Sequence, residues 1–354
     1  MKIVLLSVLV SSFAWAAPKL PLEKLTLPKG FKIEVWAEVP GARSMAQAPD
    51  GRIFVGSRTG SEVYVVKNGK VSVFAKGLDS PNGVAFKDNK LYVAEISRIS
   101  EFDLSKAQKL PMKPTRILPQ TFPSDAHHGW KFIRFGPDGK LYVPVGANCN
   151  VCDPGKDYAR IYRIDVNGTS KEEVAQGVRN TVGFDFNPET KTFWFTDNGR
   201  DMMGDDIPPD EVNKLSKVGE NFGFPYCHGK NIQDDEFKGR SCSEFTPPQV
   251  ELRAHVASLG MRFYTGQMFP AEYKNAIILA EHGSWNRSIP QGYRFTLIRM
   301  KGDTPGAAEG FVEGWLQDGK PWGRPVDVEV LKDGSMLISD DFANVIYRLS
   351  YKGS

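Results

Sequence analysis

Two adjacent histidines, His127 and His128, stand in SDAHHGWKFIRFGPDGKLYVPVG at 124–146, in a chain of 354 residues that has five histidines in all. An imidazole titrates near neutral pH, so it is the side chain best suited to take a proton from a hydroxyl and return it. The other three, His228, His255 and His282, fall in FGFPYCHGK, RAHVASLGMRFY and IILAEHGSWNR, beside Gly, Pro or small polar residues rather than inside apolar runs. Arginines follow the same habit. Arg43, Arg58, Arg179 and Arg324 are flanked by Gly, Asn, Pro or Ser, and GVRNTVGFDF sets the Arg179 guanidinium next to the Asn180 amide. Guanidiniums that converge would make a site for carboxylates.

A third cluster is acidic. TDNGRDMMGDDIPPDEVNKL, followed by GENFGFP, offers carboxylates, amides and free carbonyls in a Gly- and Pro-rich stretch. Those are ligands for a hard cation such as Ca²⁺, although the spacing is not that of an EF-hand loop.

These groups need elements to hold them. Short phrases recur: APDGRIFVGSR at 48–58, FKDNKLYVAEISR at 86–98, GPDGKLYVPVG at 136–146, NPETKTFWFTDNGR at 187–200, YKNAIILAEHG at 273–283 and LKDGSMLISDD at 331–341. Each has a turn, then four or five apolar or aromatic residues, then a polar loop, which is a tight hairpin entering a buried strand. Helical periodicity is scarce, with 207–215 the best short candidate. Repeats of about 40–50 residues are the size of propeller blades. The expected fold is therefore all-β, a six-bladed β-propeller over 17–354, with a long inserted loop around 200–250. FKIEVWA at 31–37 is expected to complete the last blade beside VIYRLSY at 345–351. Two packed β-sandwiches are the alternative. In a propeller the loops converge at the mouth of the central channel, so the histidines and arginines would meet there.

The N-terminal MKIVLLSVLVSSFAWA has a positive start, a short apolar core and a small-x-small end, the pattern of a signal peptide at 1–16. The apolar run is too short to cross a bilayer, and no later segment is long and apolar enough. An exported, periplasmic or secreted protein is expected. Its four cysteines can pair in three ways. Local couples, Cys149 with Cys152 and Cys227 with Cys242, are expected as disulfides in an oxidising compartment, with a zinc site as the rival. Asp153 stands where covalent haem would need histidine. A net charge of +3, without a Lys/Arg run, argues against a nucleic-acid partner.

HHGWKFIRFGPDGKLYVPVG, GVRNTVGFDFNP, TDNGRDMMGDDIPPDEVNKL with NFGFPYCHG, and GMRFYTGQMFP…AEHGSWNR, in this order, resemble the soluble sugar dehydrogenases of glucose/sorbosone type that depend on pyrroloquinoline quinone (PQQ). The likeness is greatest to the sorbosone/pyranose dehydrogenase branch. It implies a six-bladed propeller with PQQ over the channel mouth and Ca²⁺ beside it. The catalytic histidine falls on His128, with His127 where some relatives carry Asp. Cofactor contacts fall on Arg179, Asn180 and Arg324, and on Arg58 or Arg43 in the first blade. His255 lies on the same rim. No lysine stands near Glu281 to hold the cofactor, and His282, Trp285 or Arg287 would substitute. Calcium ligands map onto the Gly199 and Arg200 carbonyls, and a structural site onto the Glu211 side chain and Phe222 carbonyl. The substrate implied is an aldose- or sorbosone-type sugar, oxidised by base-assisted hydride transfer to PQQ. Electrons would then leave to a separate acceptor, a cytochrome or a quinone. A Ca²⁺-dependent propeller lactonase and a non-catalytic carbohydrate-binding propeller are the competing readings.

Overall fold

The computed structural model describes residues 20–106 and 109–353, so the segment read as a signal peptide lies outside the described residues. Six sheets follow one another along the chain, five of them of four antiparallel strands and the third with a fifth strand added. Blade 1 runs from Ala42–Gln47 to Lys70–Ala75, blade 2 from Gly83–Lys87 to Arg116–Ile117, and blade 3 from Arg134–Phe135 to Lys171–Gln176. Blade 4 runs from Phe184–Phe186 to Val250–Ala254 and blade 5 from Ser258–Phe263 to Thr304–Val312. Blade 6 takes Pro325–Val330, Met336–Asp340 and Val345–Tyr351 from the end of the chain and Phe31–Glu38 from its beginning. The last two pair antiparallel from Phe31↔Tyr351 to Glu38↔Val345. The expected propeller and its closure are both present.

Each recurring phrase is the turn between the first and second strands of a blade, plus the second strand itself. That strand is buried on both faces, as in Ile53–Ser57, Leu141–Val145 and Ile277–Glu281. Alternation sends successive side chains to opposite neighbours. Leu91 and Val93 pack toward blade 1 with Phe54 and Phe74, while Tyr92 and Ala94 pack toward blade 3 with Leu141 and Val143. Residues on a strand alternate faces with a period of two, so the core is a ring of apolar layers between blades.

Residues 207–215 are not helical. Pro209–Leu215 is the third strand of blade 4, opposite Phe193–Asp197. It begins on a proline and has only Val212 and Leu215 as further apolar residues, so sheet pairing prevails over local acidity. The insertion lies between this strand and Val250–Ala254. It adds Glu220–Asn221 as a fifth, parallel strand to blade 3, and a hairpin pairing Cys227–His228 with Ile232–Gln233. Both local cysteine couples are disulfides, Cys149–Cys152 and Cys227–Cys242. No helix among the described residues is long and apolar enough to cross a membrane.

Candidate active site at the channel mouth

The loops that leave second strands, and those that link one blade to the next, emerge on one face and enclose a cavity of about 300 Å³. Arg43, Arg58, Arg179, Asn180 and Arg324 line it, as do His128, His255, His282 and Trp285. The expected cofactor-contact residues are therefore brought to one place, including both candidates for the first-blade arginine. Of the three residues offered in place of a lysine, His282 and Trp285 line the cavity and Arg287 does not, its guanidinium being turned to Asp205, Asp206 and Ile289.

The histidines differ in what they can do. His128 is nine-tenths buried and has a left-handed backbone, φ +48°. Its Nδ1–H donates to the Ala147 carbonyl at 2.8 Å. A carbonyl only accepts, so the lone pair is left on Nε2. Burial, then the Arg179 and His127 charges, push the His128 pKa well below its ordinary value, so the ring is a neutral base near pH 7. His127 is exposed and packs against His128 at 4.1 Å between centroids. Behind them the buried Lys131 amine, lowered to about 7 by burial, donates to the Gly129 carbonyl at 2.8 Å and also to that of Ile96. His282 is a different case. Its Nε2–H donates to Asp341 at 2.8 Å, and burial lowers it to about 4. Asp341 also takes the Arg43 guanidinium at 2.9 Å; although burial opposes ionisation, these two partners hold its carboxyl well below the usual range. His255 donates from Nε2 to the Gly204 and Ile207 carbonyls, at 2.8 and 3.1 Å.

The guanidiniums are committed to different degrees. Arg179 donates from Nε to the Asn150 carbonyl, from Nη1 to the Asn198 and Gly199 carbonyls, and from Nη2 to Asn150 Oδ1. It is a fixed charge rather than an open fork. Arg43 is held by Asn82 and Asp341, and Arg324 by the His282 and Gly283 carbonyls. Arg58 makes no hydrogen bond or ion pair to a described residue; it lies flat over Trp130, 3.7 Å from the ring centroid. Burial, then repulsion from Arg43, lowers Arg58 to about 10. Burial likewise leads the lowering of Arg179 and Arg324. Two buried atoms in the wall, Trp130 Nε1 and His255 Nδ1, have no hydrogen-bond partner among the described residues, although Asp201 lies 3.7 Å from the latter. The cavity thus carries excess positive charge, open donors and aromatic faces, and a flat polyanion fits it.

A second, smaller cavity of about 10 Å³ brings Gly199, Arg200, Glu211 and Phe222 together with Asp197 and His228. That is roughly the space of one water-sized sphere. Glu211 accepts from the Gly229 amide at 2.7 Å and from Asn213 at 2.9 Å. Burial, then the Asp197 charge, pushes it up to about 8, and burial raises Asp210 to about 7. Buried carboxylates and carbonyls form an oxygen-rich donor set that fits a hard cation. The Gly199 carbonyl already accepts Arg179, which leaves it one lone pair to offer. The Arg200 side chain turns away to Asp234 and Glu236, at 2.7 and 2.9 Å. Among the described residues no group of three or more His, Cys, Asp or Glu is arranged to hold a metal.

Sequence reasoning missed Asn150, Trp130 and Asp341. Trp130 lies inside one phrase that it quoted, HHGWKFIRFGPDGKLYVPVG, and Asp341 ends another, LKDGSMLISDD, and a search of the loop side of each repeat would have reached them. Asn150 carried no signal beyond its place between two cysteines.

With this geometry in hand, known proteins supply the context. Residues 75–351 match the TrAA12-like family model. An uncharacterized protein of Borreliella burgdorferi is 39% identical over 363 residues, covering 97% of this chain and 95% of its own. Among solved structures, the calcium structure of a Trichoderma reesei carbohydrate-active enzyme of family AA12 superposes with TM-score 0.76 at 18% identity, covering 93% of this chain and 97% of that one. The holo PQQ domain of Coprinopsis cinerea pyranose dehydrogenase gives 0.74 at 16%, covering 92% and 97%. The PQQ-bound aldose sugar dehydrogenase of Streptomyces coelicolor gives 0.64 at 19%, covering 92% and 100%. At these identities the solved structures are likenesses of fold.

Proposed function

The chain belongs to the TrAA12-like family, and from that premise we propose that it is an exported PQQ-dependent dehydrogenase of an aldose- or sorbosone-type sugar. The observation that carries this reading is the surplus of positive charge around one cavity that also presents a neutral imidazole. Arg58, with its donors uncommitted, would take a carboxylate of the cofactor. Arg43 and Arg324 supply charge from positions that Asp341 and the backbone hold. Trp130 and Trp285 offer flat apolar surface, and Asn180 offers an amide. PQQ, when bound, supplies a two-electron acceptor for hydride.

The chain's own contribution is to bind, orient and move a proton. A sugar hydroxyl within reach of His128 Nε2 can give up its proton there, and general-base assistance of this kind contributes about 10²–10⁴-fold in rate. The neighbouring cations oppose proton uptake by the resting ring, which keeps it available as a base. Arg179 places a fixed positive charge in the cavity wall, where developing negative charge would be stabilised electrostatically. Ca²⁺ would be held by Glu211 with the Phe222, Arg200 and Gly199 carbonyls. The signal-peptide pattern and the two disulfides support export to the periplasm or beyond, and electrons would pass to a separate cytochrome or quinone.

The test is reconstitution. Purified apoprotein is titrated with PQQ, with and without Ca²⁺, following tryptophan fluorescence and cofactor absorbance, and is then assayed for sugar-dependent dye reduction. Saturable binding followed by turnover on at least one aldose is expected. Absence of both binding and dye reduction across a broad sugar panel would overturn the assignment.

A further inference from the structure

We propose that Asn150, carried in a loop closed by the Cys149–Cys152 disulfide, is the positioning residue for Arg179, and that this closure sets the affinity of the channel-mouth cavity for an anionic ligand. The ligand part of the inference rests on the cofactor reading above; the positioning part does not.

Arg179 belongs to the connection between blades 3 and 4, and its side chain is 4% exposed. Two of its acceptors, the Asn198 and Gly199 carbonyls, come from the loop after the second strand of blade 4. The other two come from a single residue of blade 3. The Asn150 carbonyl takes Nε at 3.2 Å and Asn150 Oδ1 takes Nη2 at 2.7 Å. The same Oδ1 also accepts the Asp201 amide at 3.2 Å, tying the loop to the cavity rim. Asn150 is thus the clamp between two blades.

ANCNVCDPGKD contains no strand. Its ends are anchored by the buried Ala147 and Pro154, and Cys149 packs against the Ala147, Ala159 and Phe224 cluster, while the stretch from Asn150 to Cys152 is only half-buried and is braced by the disulfide. A bridge spanning a sequence separation of 3 constrains the unfolded chain far less than the one spanning 15 between Cys227 and Cys242. Its effect is therefore local: it fixes a carbonyl and an amide oxygen. Without them Arg179 would close on the Asp201 carboxylate, with which it already makes a long ion pair at 3.6 Å. A tighter pairing would offset more of the charge that the cavity wall presents and weaken anion binding.

The experiment uses apoprotein labelled with ¹⁵N-arginine and follows hydrogen exchange of the Arg179 Nη2–H, the donor to Asn150 Oδ1, assigned with Arg179→Lys. Strong protection is expected in the wild type and in the control Cys227→Ser/Cys242→Ser. Protection should be lost in Asn150→Ala, which removes Oδ1 and keeps the backbone carbonyl, and in Cys149→Ser/Cys152→Ser, while Asn150→Asp, which keeps a side-chain oxygen acceptor, should restore it. PQQ affinity by tryptophan fluorescence should fall on the order of tenfold in Asn150→Ala, the loss typical of one charge-assisted contact. Equal protection in wild type and Asn150→Ala overturns the positioning role whatever the cofactor does. Lost protection with unchanged PQQ affinity overturns the ligand half. A wild type that protects Arg179 but binds no PQQ overturns the cofactor reading and the ligand half and leaves the clamp standing.

Discussion

A Cβ built on Gly146 would lie 2.6 Å from the Cβ of His128. The imidazole occupies its left-handed backbone and its hydrogen bond to Ala147 because the neighbouring strand end has no side chain. Left-handed non-glycine residues gather here, with His255 and Ala257 on the same wall at φ +60° and +53°. Such backbone persists where the surroundings hold it in place. Gly146→Ala should therefore displace the base and crowd Asn180 Oδ1, 3.3 Å from the new Cβ, without touching the ligand-binding arginines. Turnover is expected to fall toward that of His128→Ala, about 10²–10⁴ below wild type, with a much smaller loss of PQQ affinity. Steady-state dye reduction and fluorescence titration of the two variants check this.

The His282–Asp341 pair gives acid sensitivity of a definite sign. His282 titrates at about 4 in the folded chain, below the ordinary 6.5. Between those values the unfolded chain binds the proton and the folded chain does not. Its contribution to stability is thus constant above pH 6.5 and falls as pH drops from 6.5 toward 4. His282→Gln retains a donor for Asp341 and removes the titration. Urea midpoints of wild type and variant, compared across pH 4–8, should converge on acidification, by up to about 1.4 kcal/mol per pH unit within that window.

Arg58 over Trp130 supplies both a contact and a reporter. Arg58→Gln keeps hydrogen-bonding capacity but loses the charge and the cation–π contact. PQQ affinity should fall about 10–100-fold, the range expected for one charged hydrogen bond. The same substitution at Arg52, which pairs with Asp50 away from the cavity, should leave it unchanged. Titration of both variants in low and moderate salt decides the matter.

The Glu211 cavity makes a calcium prediction that is independent of turnover. Adding Ca²⁺ to metal-stripped protein should raise the melting temperature, by about 2.7 kcal/mol in stability at a hundredfold excess over Kd. In Glu211→Gln the response should vanish. Differential scanning calorimetry with and without EDTA provides the measurement.

How much of this could be read from the residues alone follows from the kind of signal each part leaves. The blades were legible because every second strand is buried on both faces, so Ile53–Ser57 and Leu141–Val145 must each follow a turn with an apolar run. Arg179, His128 and Arg324 stand beside glycine or asparagine in the connections that lead into the first strand of a blade, and that setting was legible in the sequence. The strand at Pro209–Leu215 was not, since its pairing with Phe193–Asp197 is set by a partner that local composition does not reveal. Nor was the difference between Arg43 and Arg58. Each is an arginine at a loop edge in the sequence, and only the fold shows that Asp341, some 300 positions away, already holds one of them.

The pairing of Phe31–Glu38 with Val345–Tyr351 has a consequence for biogenesis. Blade 6 cannot exist until the last residues of the chain have been delivered, so an early strand must wait, unpaired, through the passage of the five sheets between. Until then its unpaired backbone edge, and the apolar Ile33 and Ala37 that the finished ring buries, are what a chaperone would have to shield. A chain cut short before Val345 would leave the ring ajar and both of its flanking layers open to water.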